Sequence, residues 1–239
     1  MHIKFTYLFI DFFTILFPLC FSFHSRFGFV KIWPVFLPSL VITSIFFISN
    51  DILFTSLKIW GFNFKYVMGP TFVNLPIEEV LFFFCIPYAC VFTFHCLDIL
   101  YFNARTPYND RLLTPIFIVF LIALAIIYYN KTYPLFAFTL LIVLLSIAKY
   151  VLKVRWLVRF YITYALLLFP FFVVNGLLTG TGLNEPVVWY NKSTYTGLRI
   201  STIPVEDMFY GMALILMNII IYTVMSQNKK NLNSKSLST

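Results

Sequence analysis

Seven apolar runs, at about 5–24, 33–50, 75–97, 112–129, 133–151, 158–178 and 204–226, occupy most of this 239-residue chain. A helix needs ~20 residues to cross ~30 Å of hydrocarbon. Within lipid, only structures that satisfy every backbone N–H and C=O internally persist. The expected fold is therefore all-α and integral to a membrane, with about seven transmembrane helices. Composition agrees: 61% hydrophobic and 11% charged residues leave too few polar groups to cover a soluble surface. The first run, from Phe5 to about Phe23, carries Asp11 and lacks a small-residue cleavage site, so a retained span is expected rather than a signal peptide.

The net charge of +8 lies between the apolar runs, where Lys and Arg orient the chain and meet anionic lipid. Membrane lipid is thus an expected partner and nucleic acid is not. Cys20, Cys85, Cys90 and Cys96 sit inside or at the end of apolar runs without a CxxC, and His2, His24 and His95 are scattered. They make neither a disulfide framework nor a metal site. Phe contributes 31 residues and Tyr 15. Leu and Ile would satisfy packing alone, so the aromatic excess suits either a flat or unsaturated ligand or aromatic belts at the interfaces.

Two short motifs stand out against this apolar background. Pro76-Ile77-Glu78-Glu79 recurs 128 positions later as Pro204-Val205-Glu206-Asp207, and these copies hold four of the nine acidic residues. Acids beside lipid-spanning segments are costly and mark function. Pro followed by acids is also a good helix start, since Pro lacks an N–H and the acids complement the helix dipole. Two copies in register argue for more than that. The same shift pairs Asn63 with Asn191, Gly69 with Gly197 and Phe82 with Tyr210, while upstream a slip of three pairs Asn50 with Asn175. Two parallel three-helix repeats joined by a linker helix follow: 1–101, a linker at 102–130, 131–226, and a polar, disordered tail at 227–239. At a constant shift, Asp11 falls opposite Thr139, and a hydrogen bond from Asp11 to another helix is expected.

An odd number of spans places the termini on opposite faces. The face with the N-terminus and the two long loops, 51–74 and 179–203, carries six Lys and Arg; the other face, which includes Arg105, carries eleven. The positive-inside rule puts the N-terminus outside and the C-terminus in the cytoplasm.

Adjacent helical residues point about 100° apart, so both acids of one motif cannot face the same narrow cleft. Either one acid faces the site while its neighbour holds a loop, or copies from the two halves converge on one cavity. Burial of a carboxyl favours its neutral form, and a helix N-terminus opposes this. A neutral carboxylic acid in an apolar site can protonate a weak base. The Gly180-Thr181-Gly182 stretch lacks a preceding strand and makes no phosphate cradle.

The stretches Asp51–Thr55, Trp60-Gly61-Phe62-Asn63 and Leu75–Phe83, continuing through Ile86–Phe92, resemble the membrane-integral lycopene cyclase domain. In the second half, Asn175-Gly176, Glu185–Asn191 and Ile203–Gly211 resemble it again. The resemblance is to the fused tandem form of the heterodimeric bacterial cyclases. One departure is Asn50, where the family pattern has Trp.

The resemblance implies an intramolecular lyase or isomerase of carotenoid biosynthesis in a bacterial inner membrane. It implies that the ψ-ends of lycopene are cyclised to β-ionone rings, through γ-carotene to β-carotene, without flavin, nicotinamide or other cofactor. It also implies a linear carotenoid as ligand and possible association with other enzymes of the same pathway. The expected proton donors are Glu78 and Glu206, with Glu79 and Asp207 as partners or bases and Asp51 as an orienting or relaying acid. Trp60, Trp189, Phe82 and Tyr210 are expected to line the substrate, while Asn63 and Asn191 are either substrate contacts or loop braces. Alternatives are a carotenoid hydratase, which would admit water to the same cation, and a small proton-coupled transporter.

Overall fold

The computed structural model describes residues 3–101 and 110–236; His2, the 102–109 part of the expected linker with Arg105, and residues 237–239 of the tail lie outside it. Seven helices follow the apolar runs: α1 Thr6–Ser22, α2 Trp33–Ser56, α3 Ile77–Leu100, α4 Leu113–Ile127, α5 Thr132–Ser146, α6 Leu157–Leu178 and α7 Val205–Ser236. Five of them, α2, α3, α5, α6 and α7, are long and apolar enough to cross a bilayer. The helices α1 and α4 are shorter, at 17 and 15 residues, or about 25 Å and 22 Å at the usual helical rise.

Two boundaries differ from expectation. The last helix continues to Ser236, ten residues past the end of the seventh apolar run. The Gln, Asn, Lys and Ser residues of that stretch include neither Gly nor Pro, and nothing local stops the helix. The helix α2 runs on to Ser56, which places Asp51 on a buried helical turn rather than in a loop.

The core is built from two equivalent helix pairs, α1 against α3 and α5 against α7, with α2 packed on both α3 and α7 and α4 lying against α5. Aromatic side chains fill the interior, including Phe36, Phe47, Phe83, Phe138 and Phe160. At the end away from the acidic motifs, Arg159 pairs with Asp98 and Lys149 with Asp110 at 3.1 Å. Burial of apolar surface does not by itself join helices in lipid, so close packing and such polar contacts specify the assembly.

Six short strands form a cap over the opposite end: β1 Trp60–Phe62, β2 Thr71–Phe72, β3 Leu75–Pro76, β4 Val188–Tyr190, β5 Arg199–Ile200 and β6 Ile203–Pro204. β2 pairs with β3 and β5 with β6 as hairpins that feed α3 and α7. Ile77 N–H donates to Pro70 O and Val205 N–H to Leu198 O, closing both hairpins alike. The Pro of each motif therefore ends a strand just before the helix and does not occupy the first helical position. Val73 and Ser201, 128 positions apart, both adopt left-handed backbone at the hairpin tips, with φ of 57° and 56°.

The strands β1 and β4 pair antiparallel across the two halves: Trp60 opposite Tyr190, Gly61 opposite Trp189 and Phe62 opposite Val188. Each of these positions, advanced by 128, gives its partner's mirror position, so a pseudo-two-fold axis passes between Gly61 and Trp189. The flanking bonds obey the same axis, with Asn63 N–H to Val187 O at 2.8 Å and Asn191 N–H to Ile59 O at 2.9 Å. Only Gly fits at position 61: a Cβ there would lie 2.3 Å from Trp189 Cζ2. Tyr7 N–H donates to Tyr66 O and Tyr133 N–H to Thr194 O, so α1 and α5 start at this same capped end.

Candidate functional site at the capped end

The two acids of each motif separate as helical geometry demands. Glu78 Oε1 accepts from Met68 N–H at 2.6 Å, and Glu206 Oε1 accepts from Thr196 N–H at 2.5 Å. Both thus tie the cap loops to the helix starts, and neither lines the cavity described below. The second acid of each motif turns inward. Tyr7 donates its hydroxyl to Glu79 Oε2 at 2.5 Å, and Tyr133 donates to Asp207 Oδ1 at 2.6 Å. Tyr190 adds a second bond to Asp207, at 2.8 Å to Oδ2. Tyr190 lies in the cap, where burial and then the Asp207 carboxylate hold its hydroxyl well above the usual phenol range, so it stays a donor.

Asp51 completes the group from α2. Its Oδ1 accepts from the Trp60 indole N–H at 2.5 Å, and among the described residues its Oδ2 has no hydrogen-bond partner. Asp51, Glu79 and Asp207 all line one cavity of about 770 Å³, together with Tyr7, Trp60, Phe82, Tyr133, Tyr190 and Tyr210. Residues from both halves therefore share a single chamber. Edge-to-face contacts link its aromatic wall: Trp60 with Tyr133 at 5.0 Å, Trp60 with Tyr210 at 6.1 Å and Tyr7 with Phe82 at 6.2 Å. The Tyr210 hydroxyl is buried and lacks a partner among the described residues.

The other expected site residues sit outside the chamber. Trp189 is half-exposed and lies over Gly61. Asn63 Oδ1 accepts from Lys65 N–H and Asn191 Oδ1 from Ser193 N–H, the same brace in both loops. Asn63 also donates to Glu185, which pairs with Lys65 at 2.9 Å. Asn50 donates to Phe46 O one turn back and does not line the chamber. Asp11 is buried, yet among the described residues neither carboxyl oxygen has a hydrogen-bond partner, contrary to the expected interhelical bond.

Tyr7 and Tyr133 escaped the sequence reading because their spacing is 126, not 128. In this frame the counterpart of Asp11 is Ala137 rather than Thr139. A Tyr near the start of the first and fifth apolar runs was the available signal. Asp51 likewise has no acidic partner in the second half, since the Asn50–Asn175 register sets Gly176 opposite it.

No curated protein and no solved structure matches this chain. A family model described as lycopene cyclase matches it twice, over residues 4–97 and 130–225, the two segments that carry the paired motifs and the paired tyrosines. The chain belongs to the lycopene cyclase family in its fused tandem form, and is an enzyme of carotenoid cyclisation.

Proposed function

We propose that this protein cyclises the ψ-ends of lycopene to β-ionone rings within the membrane, by a redox-neutral and acid-initiated route. The observation that carries the reading is the shared chamber, in which three carboxyl groups meet an aromatic wall at one end of an otherwise apolar cavity. A carboxylic acid adds a proton at C2 of the terminal isoprene double bond. The C5=C6 double bond attacks the resulting cation and closes the ring. A carboxylate then removes the C6 proton, so one proton enters and one leaves. Glu79, Asp207 and Asp51 are the residues proposed for these transfers; Glu78 and Glu206 act as loop anchors instead. Tyr7, Tyr133 and Tyr190 position the carboxyls, and the faces of Trp60, Phe82 and Tyr210 stabilise the cation without bonding to it. A dry chamber keeps water from capturing the cation, which would give a hydroxylated end.

The division into repeats at 1–101 and 131–226, with 102–130 as linker, is part of the same proposal and is supported by the hydrogen bonds that recur in both halves. The capped end is proposed to face outward, on the strength of its smaller number of Lys and Arg.

Expression in a lycopene-accumulating host, with pigments resolved by chromatography, tests the reading. Cyclised carotenoid at the expense of lycopene is expected. Unchanged lycopene beside well-expressed, membrane-inserted protein would refute it.

A further inference from the structure

The chamber is longer than the ring-forming chemistry requires. Its lining runs along α1 from Thr6 to Pro18, along α3 from Glu79 to Thr93, and along α6 from Tyr164 to Leu178. At 1.5 Å per residue these stretches span about 20 Å of membrane depth. All three carboxyls sit at the capped end, and the rest of the lining is almost wholly apolar. The helices α1 and α6 both pack on α3, which makes α3 the floor of the groove and α1 and α6 its walls. Along the mouth between these walls, Phe13, Phe17, Phe169 and Val173 line the cavity and are at least half exposed on the lipid-facing surface.

The equivalent cleft in the other half, between α5 and α2, is bridged by aromatic rings beneath the cap. There Phe136, the counterpart of Ile10 in the 126 frame, meets Phe54 ring to ring at 4.9 Å, and Phe136 also contacts Tyr210 at 6.3 Å. The helix α4 covers the outer side of α5. The pseudo-two-fold that builds the cap is thus broken below it: aromatic rings meet across one cleft, and the other carries exposed side chains along its mouth.

We propose, on the basis of the function assigned above, that the α1–α6 cleft is the side entrance from the bilayer. A linear polyene lies lengthwise along α3 with one end at Asp51, Glu79 and Asp207. One set of acids at one closed end processes one end per binding event. A substrate with two reactive ends must leave and re-enter reversed, so the monocyclic product is released into the membrane before the second ring forms.

The test uses the purified full chain in lipid vesicles supplied with excess lycopene. Monocyclic product exceeding the amount of enzyme before bicyclic product rises is expected. Bicyclic product without a lag, with monocyclic product never exceeding the enzyme, would overturn release between ends. For the entrance, Val174→Trp, which fills the groove, is compared with Val119→Trp on the exposed face of α4. Val174→Trp is expected to lower lycopene turnover at least tenfold at an unchanged melting temperature. Val119→Trp is expected to change neither. Full lycopene turnover by Val174→Trp would show the groove to be merely lipid-filled and overturn the entrance. Equal loss of turnover in Val119→Trp would overturn it as well, because the effect would not be specific to the groove. An inactive wild-type chain would count against the assigned reaction instead.

Discussion

The Tyr7 hydroxyl donates to Glu79 across 72 residues of sequence, at 2.5 Å, and Tyr133 makes the matching bond to Asp207 in the other half. Each bond joins the first helix of one repeat to its third. The bonds orient two carboxyls toward one chamber, and they set apart the acids that face it from the acids that hold loops.

Removing one hydroxyl leaves the ring packing intact and takes away a hydrogen bond to a buried carboxyl, at a cost of about 1–3 kcal/mol. Tyr133→Phe is expected to lower turnover about tenfold or more, because Asp207 loses one of its two tyrosine donors. Tyr7→Phe is expected to do the same at Glu79, whose described tyrosine donor is Tyr7 alone. Initial rates in vesicles at saturating substrate check this; wild-type rates in both variants would remove the positioning role.

The two acids of a motif should fail in different ways. Glu79→Gln keeps the side-chain shape and is expected to cut turnover by roughly 100-fold or more, the usual scale of a general acid or base, with a near-wild-type melting temperature. Glu78→Ala and Glu206→Ala leave Met68 N–H and Thr196 N–H unpaired at the cap. Each is expected to cost about 1–3 kcal/mol of stability, read as a lower melting temperature in detergent. Stable Glu78→Ala protein without activity would return Glu78 to the chemistry.

These contrasts show how far the sequence could be read. The spans were legible because lipid imposes length and apolarity on every helix, and the 128 repeat exposed both acidic motifs. Which acid of each pair turns inward was not legible, because adjacent residues differ only in rotation about an axis whose neighbours the chain does not name. Asp51 looked like a loop residue because α2 continues past the apolar run to Ser56. Tyr7 and Tyr133 were hidden by a two-residue change of frame, which the matching bonds to Tyr66 and Thr194 and to Glu79 and Asp207 reveal. The Gly61–Trp189 pair was equally hidden, since equivalent positions hold unlike residues wherever a symmetry axis leaves room for only one side chain.

That pair gives a packing prediction. Gly61→Ala places a Cβ 2.3 Å from Trp189 Cζ2 and 2.7 Å from Cε2, both parts of a rigid ring. Overpacking of this kind costs about 1–3 kcal/mol. Trp189→Ala should relieve the clash, so the double variant is expected to be more stable than additivity allows. Additive losses in thermal unfolding would show that the indole is not held against Gly61.

The cap also carries a contact between the halves that responds to pH. Glu185 accepts from Lys65 and Asn63, and these two donors hold its carboxyl below the usual glutamate range, Lys65 having the larger effect. A carboxyl whose folded pKa is depressed contributes stability above its unfolded pKa, about 4.3, and loses it as pH falls through the folded value. Acidification from neutral pH should therefore lower the wild-type melting temperature slightly more than that of Glu185→Gln. Both partners are exposed, so the difference is small and fades in high salt. Identical acid dependence of the two proteins would show that the pair contributes nothing.

The central claim is that Asp51, Glu79 and Asp207 serve a proton-in, proton-out cyclisation. The most direct measurement is conversion of lycopene by the purified chain in lipid nanodiscs, without added flavin or nicotinamide, with products separated and weighed by mass spectrometry. Cyclised product of the same mass as lycopene is predicted, since one proton is gained and one is lost. Product heavier by one water, or lycopene recovered unchanged by folded protein, would contradict the account.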